Sequence, residues 1–386
     1  MVPTVIVTHR GEDRIRSGHP WVYRSDVSSV SAAGGDTVRV VGARDRALGF
    51  AIYSDRSEIA LRLLTRGPTP PDLETWRERI QAAVDCRGAL GIDATAYRVV
   101  HGEADRLPGL VVDRYGDYLV LQALSQAADR LLPELTRVLV DILEPAGILA
   151  RNDPRVRILE GLEQRIEVVH GDVPAVIEVR EGPITYDVDV YHGQKTGLFL
   201  DQRENRAAAA SYAHGRALDA FSYNGGFAMA LATRCASVLA VDISEEAVAR
   251  IVANAQRNAL RNIEARLMNV FDELRELERR GDRFDTIVLD PLAFAKNKAA
   301  VRKALSGYKE INLRALKLLS PGGYLVTCSC SYNVSEAAFA DVIASAAVDA
   351  HADVVVVEKR MQGRDHPVLM TVPETFYLKC FVLRKL

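Results

Sequence analysis

Four short clusters hold the residues best suited to chemistry. Thr327-Cys328-Ser329-Cys330-Ser331 follows an apolar run that reads as a strand, so a cysteine stands where that strand opens to solvent. Its thiolate would be a nucleophile if basic neighbours lowered its pKa. On spacing alone, Cys-x-Cys reads rather as two thiols packed into a core. Asp290-Pro291-Leu292-Ala293-Phe294 puts a carboxylate and an aromatic at the end of another strand, suited to a planar polar ligand. Ser237–Asp242 is an apolar strand ending in an acid. Asn224-Gly225-Gly226 is a turn that glycine makes cheaply, because a positive φ carries no Cβ penalty there.

The elements that must position these residues follow from periodicity. Ala217–Phe221 is a short buried strand, and from Phe227 the apolar residues recur at helical spacing. Strand, glycine turn and helix in sequence leave free N–H groups beyond the strand's carboxyl end, where a nucleotide-like ligand fits. Asp242 lies 23 positions after Asp219, the offset at which a second strand's acid accepts ribose hydroxyls. No glycine completes G-x-G-x-x-G after Gly226. A dinucleotide is therefore disfavoured and a mononucleoside ligand such as S-adenosylmethionine favoured.

Strands and helices alternate from Arg216 onward. Strands are expected at Ala217–Phe221, Val238–Asp242, Ala265–Asn269, Thr286–Asp290, Gly323–Thr327, Val354–Glu358 and Thr375–Leu383. Helices separate the first six, and none fits between the last two, which predicts an antiparallel pair. The fold class is α/β, a doubly wound, Rossmann-like sheet with its last strand reversed at one edge.

Three domains are expected: a β-rich module at 1–68, an α/β middle domain at 72–184, and the doubly wound domain at 185–386. The first carries strands at Thr37–Val41, Leu48–Tyr53 and Ile59–Leu64, and ten arginines against seven acids up to Arg66. Arg10, Arg14, Arg16 and Arg24 surround Gly18-His19-Pro20-Trp21, a basic and aromatic patch suited to structured RNA. The alternative is a solvated helix face with Trp21 as core anchor. In the middle domain, residues 127–143 form one amphipathic helix. His101-Gly102-Glu103-Ala104-Asp105 has catalytic residue types but no metal-ligand spacing, and reads as a structural turn. Gly197–Arg203 mixes apolar and charged residues tightly enough to suggest a ligand wall.

Composition bounds the partners. A net charge of −2 gives no global attraction to nucleic acid, so local patches must supply it. The five cysteines include no C-x-x-C pair, so neither a disulfide framework nor a metal site is expected. No apolar run approaches the roughly 18 residues of a membrane span. The N-terminus lacks signal-peptide character, so a cytoplasmic location with no membrane partner is expected.

Together Gly-Leu-Phe-Leu-Asp-Gln-Arg (197–203), Asp-Ala-Phe-Ser-Tyr-Asn-Gly-Gly-Phe (219–227), Val-Asp-Ile-Ser (241–244), Leu-Asp-Pro-x-x-Phe-Ala (289–295), Gly-Tyr-Lys-Glu-Ile-Asn (307–312) and Thr-Cys-Ser-Cys-Ser (327–331) resemble the large-subunit rRNA 5-methylcytosine methyltransferase family. His19-Pro20-Trp21 and Val112–Gly116 extend the resemblance over nearly the whole chain.

The resemblance implies an N-terminal PUA domain, a class I methyltransferase domain and S-adenosylmethionine as cofactor. It also implies large-subunit rRNA as partner. Cytosine carbon 5 is a poor nucleophile, so in this family a thiolate adds to carbon 6, carbon 5 takes the methyl group, and a base then removes the carbon-5 proton. By resemblance Cys330 is the nucleophile, with Cys328 as rival because a related group uses Thr-Cys-Ser. Asp290 would hold the cytosine edge, and Phe294 would stack on an extruded base. Arg10, Arg14, Arg16 and His19 would meet RNA. Cofactor contacts would come from Gln202, Arg203, Phe221, Tyr223, Asn224, Gly225, Asp242, Ile243, Asn269, Val270 and Asp290.

Two positions depart from the family. Leu292 replaces the second proline of Asp-Pro-Pro, and Asn269 stands where an acid often reaches the adenine amino group. Methylation of another base and a non-catalytic RNA-binding assembly role are the alternatives, and a homodimer is left open.

Overall fold

The computed structural model describes residues 2–295 and 297–386. The chain divides into two compact units: Met1–Gly182 with Asp187–Leu200 and Arg364–Thr375, and Pro183–Tyr186 with Asp201–Gly363 and Phe376–Leu386.

The first unit carries two sheets. The N-terminal one has six strands in the order Trp21–Tyr23, Ile59–Thr65, Ala47–Tyr53, Thr37–Val41, Thr4–Val7, Val27–Val30. Only three of these were expected. Thr4–Val7, Trp21–Tyr23 and Val27–Val30 are three or four residues long, too short for a period of two to register. Val5, Val7, Val22, Val38 and Val40 fill its core. The second sheet has five strands, Arg165–Gly171, Gly147–Asn152, Tyr118–Ala123, Leu110–Tyr115 and Ala96–His101, over the helix Leu73–Ala89. The expected helix at 127–143 is two, Gln126–Arg130 and Leu132–Leu143, because Pro133 in the first turn starts a new helix. Arg87 grips Asp105 through both guanidinium nitrogens at 2.6 and 2.8 Å, and the Trp21 indole donates to Glu103 at 3.2 Å. The His101–Asp105 turn is thus occupied by structural bonds.

The second unit is a seven-stranded sheet. In chain order its strands are Arg216–Ala220, Ser237–Asp242, Ile263–Leu267, Phe284–Leu289, Leu319–Ser329, Val354–Arg360 and Lys379–Lys385. They lie side by side in the order 3-2-1-4-5-7-6, and the seventh runs antiparallel to both neighbours. The reversed strand is therefore internal, not at the edge as expected. Burial explains the difference. Lys379–Leu383 is continuously buried and suits a central position, whereas the sixth strand leaves Val355, Val356 and Val357 exposed and forms the edge. Leu218, Leu239, Ile287, Leu289 and Leu325 meet Tyr308, Ile311 and Phe339 from the covering helices in one core. Among the described residues no helix is long and apolar enough to cross a membrane.

Candidate active site

The site grows from the end of the first strand. Past Ala220, Phe221, Tyr223 and Gly225 all take positive φ, at 65°, 51° and 84°. A Cβ on Gly225 would also lie 2.9 Å from the end of the Met229 side chain, which would have to shift, but it is the positive φ that favours glycine here. Asp219, fully buried, accepts from the Ala228 N–H at 2.9 Å and from the Ser222 hydroxyl, tying the strand to the helix Gly226–Ala232. Burial pushes its pKa up to about 7, against the lowering effect of those bonds. Asp219 therefore braces the turn.

Asp242 completes the turn from the second strand. Its two carboxylate oxygens accept the Tyr223 N–H at 2.8 Å and the Ser244 N–H at 2.9 Å. Each oxygen keeps a second lone pair. Ile243, beside it, is exposed. The third strand ends at Leu267, two residues earlier than expected, and Asn269 caps the helix Val270–Arg280 by accepting the Phe271 N–H at 2.9 Å. Its side-chain oxygen also keeps one lone pair. Val270, the first residue of that helix, is buried. Phe221, Phe271 and Phe294 form an aromatic triad with centroids 6.1–6.3 Å apart.

Asp290 follows the fourth strand and accepts the Gln202 side-chain amide at 2.7 Å. Gln202 in turn accepts from Asn205 at 2.6 Å, and Asn205 accepts from Arg360 at 3.0 Å. Gln202, expected in a cofactor wall, is thus the group that holds the Asp290 carboxylate. Arg203, next to it, is buried at the start of the helix Arg203–Tyr212. The Asn205 and Arg360 relay escaped the sequence reading, since no local pattern links positions 155 residues apart.

The two cysteines differ sharply. Cys328 is fully buried in the ladder opposite Cys380, and the bond between the thiols together with burial holds its pKa well above the usual thiol value. Cys330 lies just past the strand, half-buried, with its thiol 3.6 Å from the Pro291 carbonyl. The structure thus brings Cys330 to the Asp290–Phe294 loop. Ser331 fixes that loop by accepting the Ala295 N–H at 3.1 Å and bonding the Tyr308 hydroxyl at 2.9 Å. The Phe294 ring sits 4.7 Å from Tyr308, centroid to centroid, and Leu292 is exposed. Among the described residues no group of three His, Cys, Asp or Glu is arranged to hold a metal ion.

Known proteins resemble this chain in sequence and fold. A PUA-like domain profile matches residues 5–66, and a methyltransferase domain profile matches residues 212–369. The chain is 39% identical over 378 residues to ribosomal RNA large subunit methyltransferase I of Shigella boydii serotype 18, covering 95% of each chain. It is 39% identical over 396 residues to the protein of that name in Tolumonas auensis, covering 100% of both. The chain belongs to the ribosomal RNA large subunit methyltransferase I family. Among solved structures, SMU.776 complexed with SAH superposes with a TM-score of 0.86 at 22% identity, covering 100% of both chains. A SAM-dependent methyltransferase from Streptococcus mutans gives 0.84 at 21%, again over 100% of both. These two likenesses establish the class I methyltransferase fold.

In this family member the N-terminal cations are already engaged within the first unit. Arg10 pairs with Asp26, and Arg14 lies 4.5 Å over the Tyr23 ring and 3.3 Å from His19. Arg16 reaches Glu12 at 3.6 Å, and Arg24 donates to the Ser54 and Ser57 carbonyls. Arg10 and Arg16 remain largely exposed despite these contacts, with side chains 71% and 60% accessible, whereas His19 is mostly covered.

Proposed function

We propose that this protein is an S-adenosylmethionine-dependent methyltransferase that forms 5-methylcytosine in large-subunit ribosomal RNA, with Cys330 as nucleophile. The observation that carries this reading is the half-buried Cys330 beside the Asp290–Phe294 loop, next to a fully buried Cys328. The substrate class follows from the family's name. Such work belongs in the cytoplasm, where ribosomes are assembled.

The residues present fit the cofactor. A Cβ at Gly225 would crowd the turn, and both Asp242 oxygens retain lone pairs for ribose hydroxyls. Phe221, Tyr223, Asn224, Ile243, Asn269 and Val270 would frame the rest. When bound, S-adenosylmethionine supplies an electrophilic methyl group.

This chain's own residues do the remaining work. The Cys330 thiolate forms a bond to cytosine carbon 6, and the electron pair of the carbon 5–carbon 6 double bond moves to carbon 5, making it nucleophilic. Once carbon 5 is methylated, loss of its proton to a base restores the double bond and expels Cys330. Asp290, held by Gln202, would accept the cytosine amino group while its charge stabilises proton uptake at ring nitrogen 3 during addition. Phe294 would stack on the extruded base. The 1–68 module, through Arg10, Arg14, Arg16 and His19, would position the RNA by its backbone.

A mechanism trap tests the reading. The protein is mixed with labelled S-adenosylmethionine and rRNA carrying 5-fluorocytosine, where fluorine blocks the final elimination. The expected result is a denaturant-stable protein–RNA adduct, absent in Cys330→Ala. Methylation of ordinary rRNA without an adduct would transfer the reaction to another base.

A further inference from the structure

We propose that Lys379 is the cation that holds Cys330 as a thiolate, a positioning residue that acts on the nucleophile without touching the cytosine. The inference rests on the reading of Cys330 as the nucleophile.

Lys379 opens the reversed seventh strand and stands opposite Ser329 in the ladder, at its last pair. Its side chain is only 2% exposed. The ammonium donates to the Ser331 carbonyl at 2.7 Å and to the Tyr377 carbonyl at 2.9 Å, so two of its three donors are used on neutral acceptors. Ser331 is the residue next to Cys330, which puts the charge beside the thiol's own backbone. Among the described residues no carboxylate forms an ion pair with Lys379. A buried ammonium satisfied only by carbonyls lacks a counter-charge, and that is costly in a dry interior.

The surrounding groups narrow what the counter-charge is. Cys330 and Glu336 are the two acidic groups whose charge would raise the Lys379 pKa. Glu336, at the start of the helix Glu336–Asp349, already pairs with Lys359 at 2.9 Å. Tyr308, from the helix Val301–Leu318, is kept neutral by burial, which raises its pKa. Asp290 accepts from Gln202, and Cys328 is hydrogen-bonded to Cys380 and stays a thiol. Cys330, next to the Ser331 carbonyl that the ammonium grips, is the acidic group the geometry favours. Burial lowers the Lys379 pKa to about 8, and negative charge on Cys330 opposes the fall, so the lysine remains mostly protonated at pH 7. Cys330 releases its proton to solvent while Lys379 keeps its own. No bond to Lys379 forms or breaks.

The test is the pH dependence of alkylation by iodoacetamide between pH 5 and 10, followed at each cysteine by peptide mass spectrometry. Exposed Cys86 serves as the ordinary thiol within the same molecule. In the unmodified protein Cys330 is expected to react with an apparent pKa about one unit or more below that of Cys86. Lys379→Met is expected to abolish the difference and slow Cys330 alkylation at pH 7 about tenfold, with Cys86 unchanged. Lys379→Arg, which keeps the charge, should preserve the low apparent pKa. A Cys330 profile in the unmodified protein that titrates with Cys86 or above it overturns the proposal, with no variant needed. So does a Lys379→Met profile that superposes on the unmodified one. Because alkylation needs neither cofactor nor RNA, the outcome is separable from the nucleophile reading, which falls if Cys330→Ala still methylates rRNA or if methylation proceeds with no trapped adduct.

Discussion

At Cys328 the fifth and seventh strands still run as a ladder, and its thiol meets Cys380 across it, fully buried. Two residues on, the ladder has ended at Ser329 and Lys379, and Cys330 sits half-buried beside a loop carbonyl. The same residue type in the same segment thus has two environments. One raises the pKa by a neighbouring thiol and by desolvation; the other offers solvent, a buried cation and an aromatic loop. What separates a packed thiol from a poised one is where the neighbouring strand stops, because the last ladder pair decides which side chain is sealed.

The largest test of that contrast exchanges the two cysteines' fates. Cys330→Ala is expected to lower rRNA methylation by about 10³-fold or more while S-adenosylmethionine binding, measured by calorimetry, is retained. Cys328→Ala should keep turnover within a few-fold and instead cost about 1–2 kcal/mol of stability in urea unfolding, as a buried side chain is truncated. The opposite pattern would make Cys328 the nucleophile. Next in size, Gln202→Leu leaves the Asp290 carboxylate without its amide donor. A hydrogen bond to a charged group is worth about 1.5–3 kcal/mol, so kcat/KM should fall about 10- to 100-fold. Unchanged kinetics would show that Asp290 needs no such hold.

The smallest effect concerns a buried acid outside the chemistry. The folded-state pKa of Asp219 is raised from 3.8 to about 7, so the folded state holds its proton more tightly than the unfolded chain. Its stabilising contribution is complete below about pH 4 and lost as pH rises through about 7. Asp219→Asn, which can still accept the Ala228 N–H, should flatten that part of the pH profile of thermal unfolding. A profile identical to that of the unsubstituted protein would show that Asp219 is ionised throughout.

Much of this was legible because it is local. The glycine turn, the acids ending the first, second and fourth strands, and the alternation of strand and helix each depend on residues within one turn or strand. Asn224-Gly225-Gly226 could be read directly, since the positive φ at Gly225 strains any residue with a side chain. Lys379 and Asn205 could not, because each gains its meaning from a partner brought in by another strand. Gln202 was singled out from the sequence, but its amide bond to Asp290 is visible only in the fold.

The sequence alone determined the alternation of strand and helix in the second unit, and that an acid and a glycine turn meet beyond its first two strands. Local propensity and hydrophobic period act over a few residues and need no tertiary information. The tertiary structure decided that the last strand enters the sheet between the fifth and sixth. Burial on both faces favours its apolar run there, although no local signal states the order. That insertion seals Cys328 against Cys380 and carries Lys379 to the residue next to Cys330, so strand order, a long-range outcome of packing, sets the chemistry of both thiols.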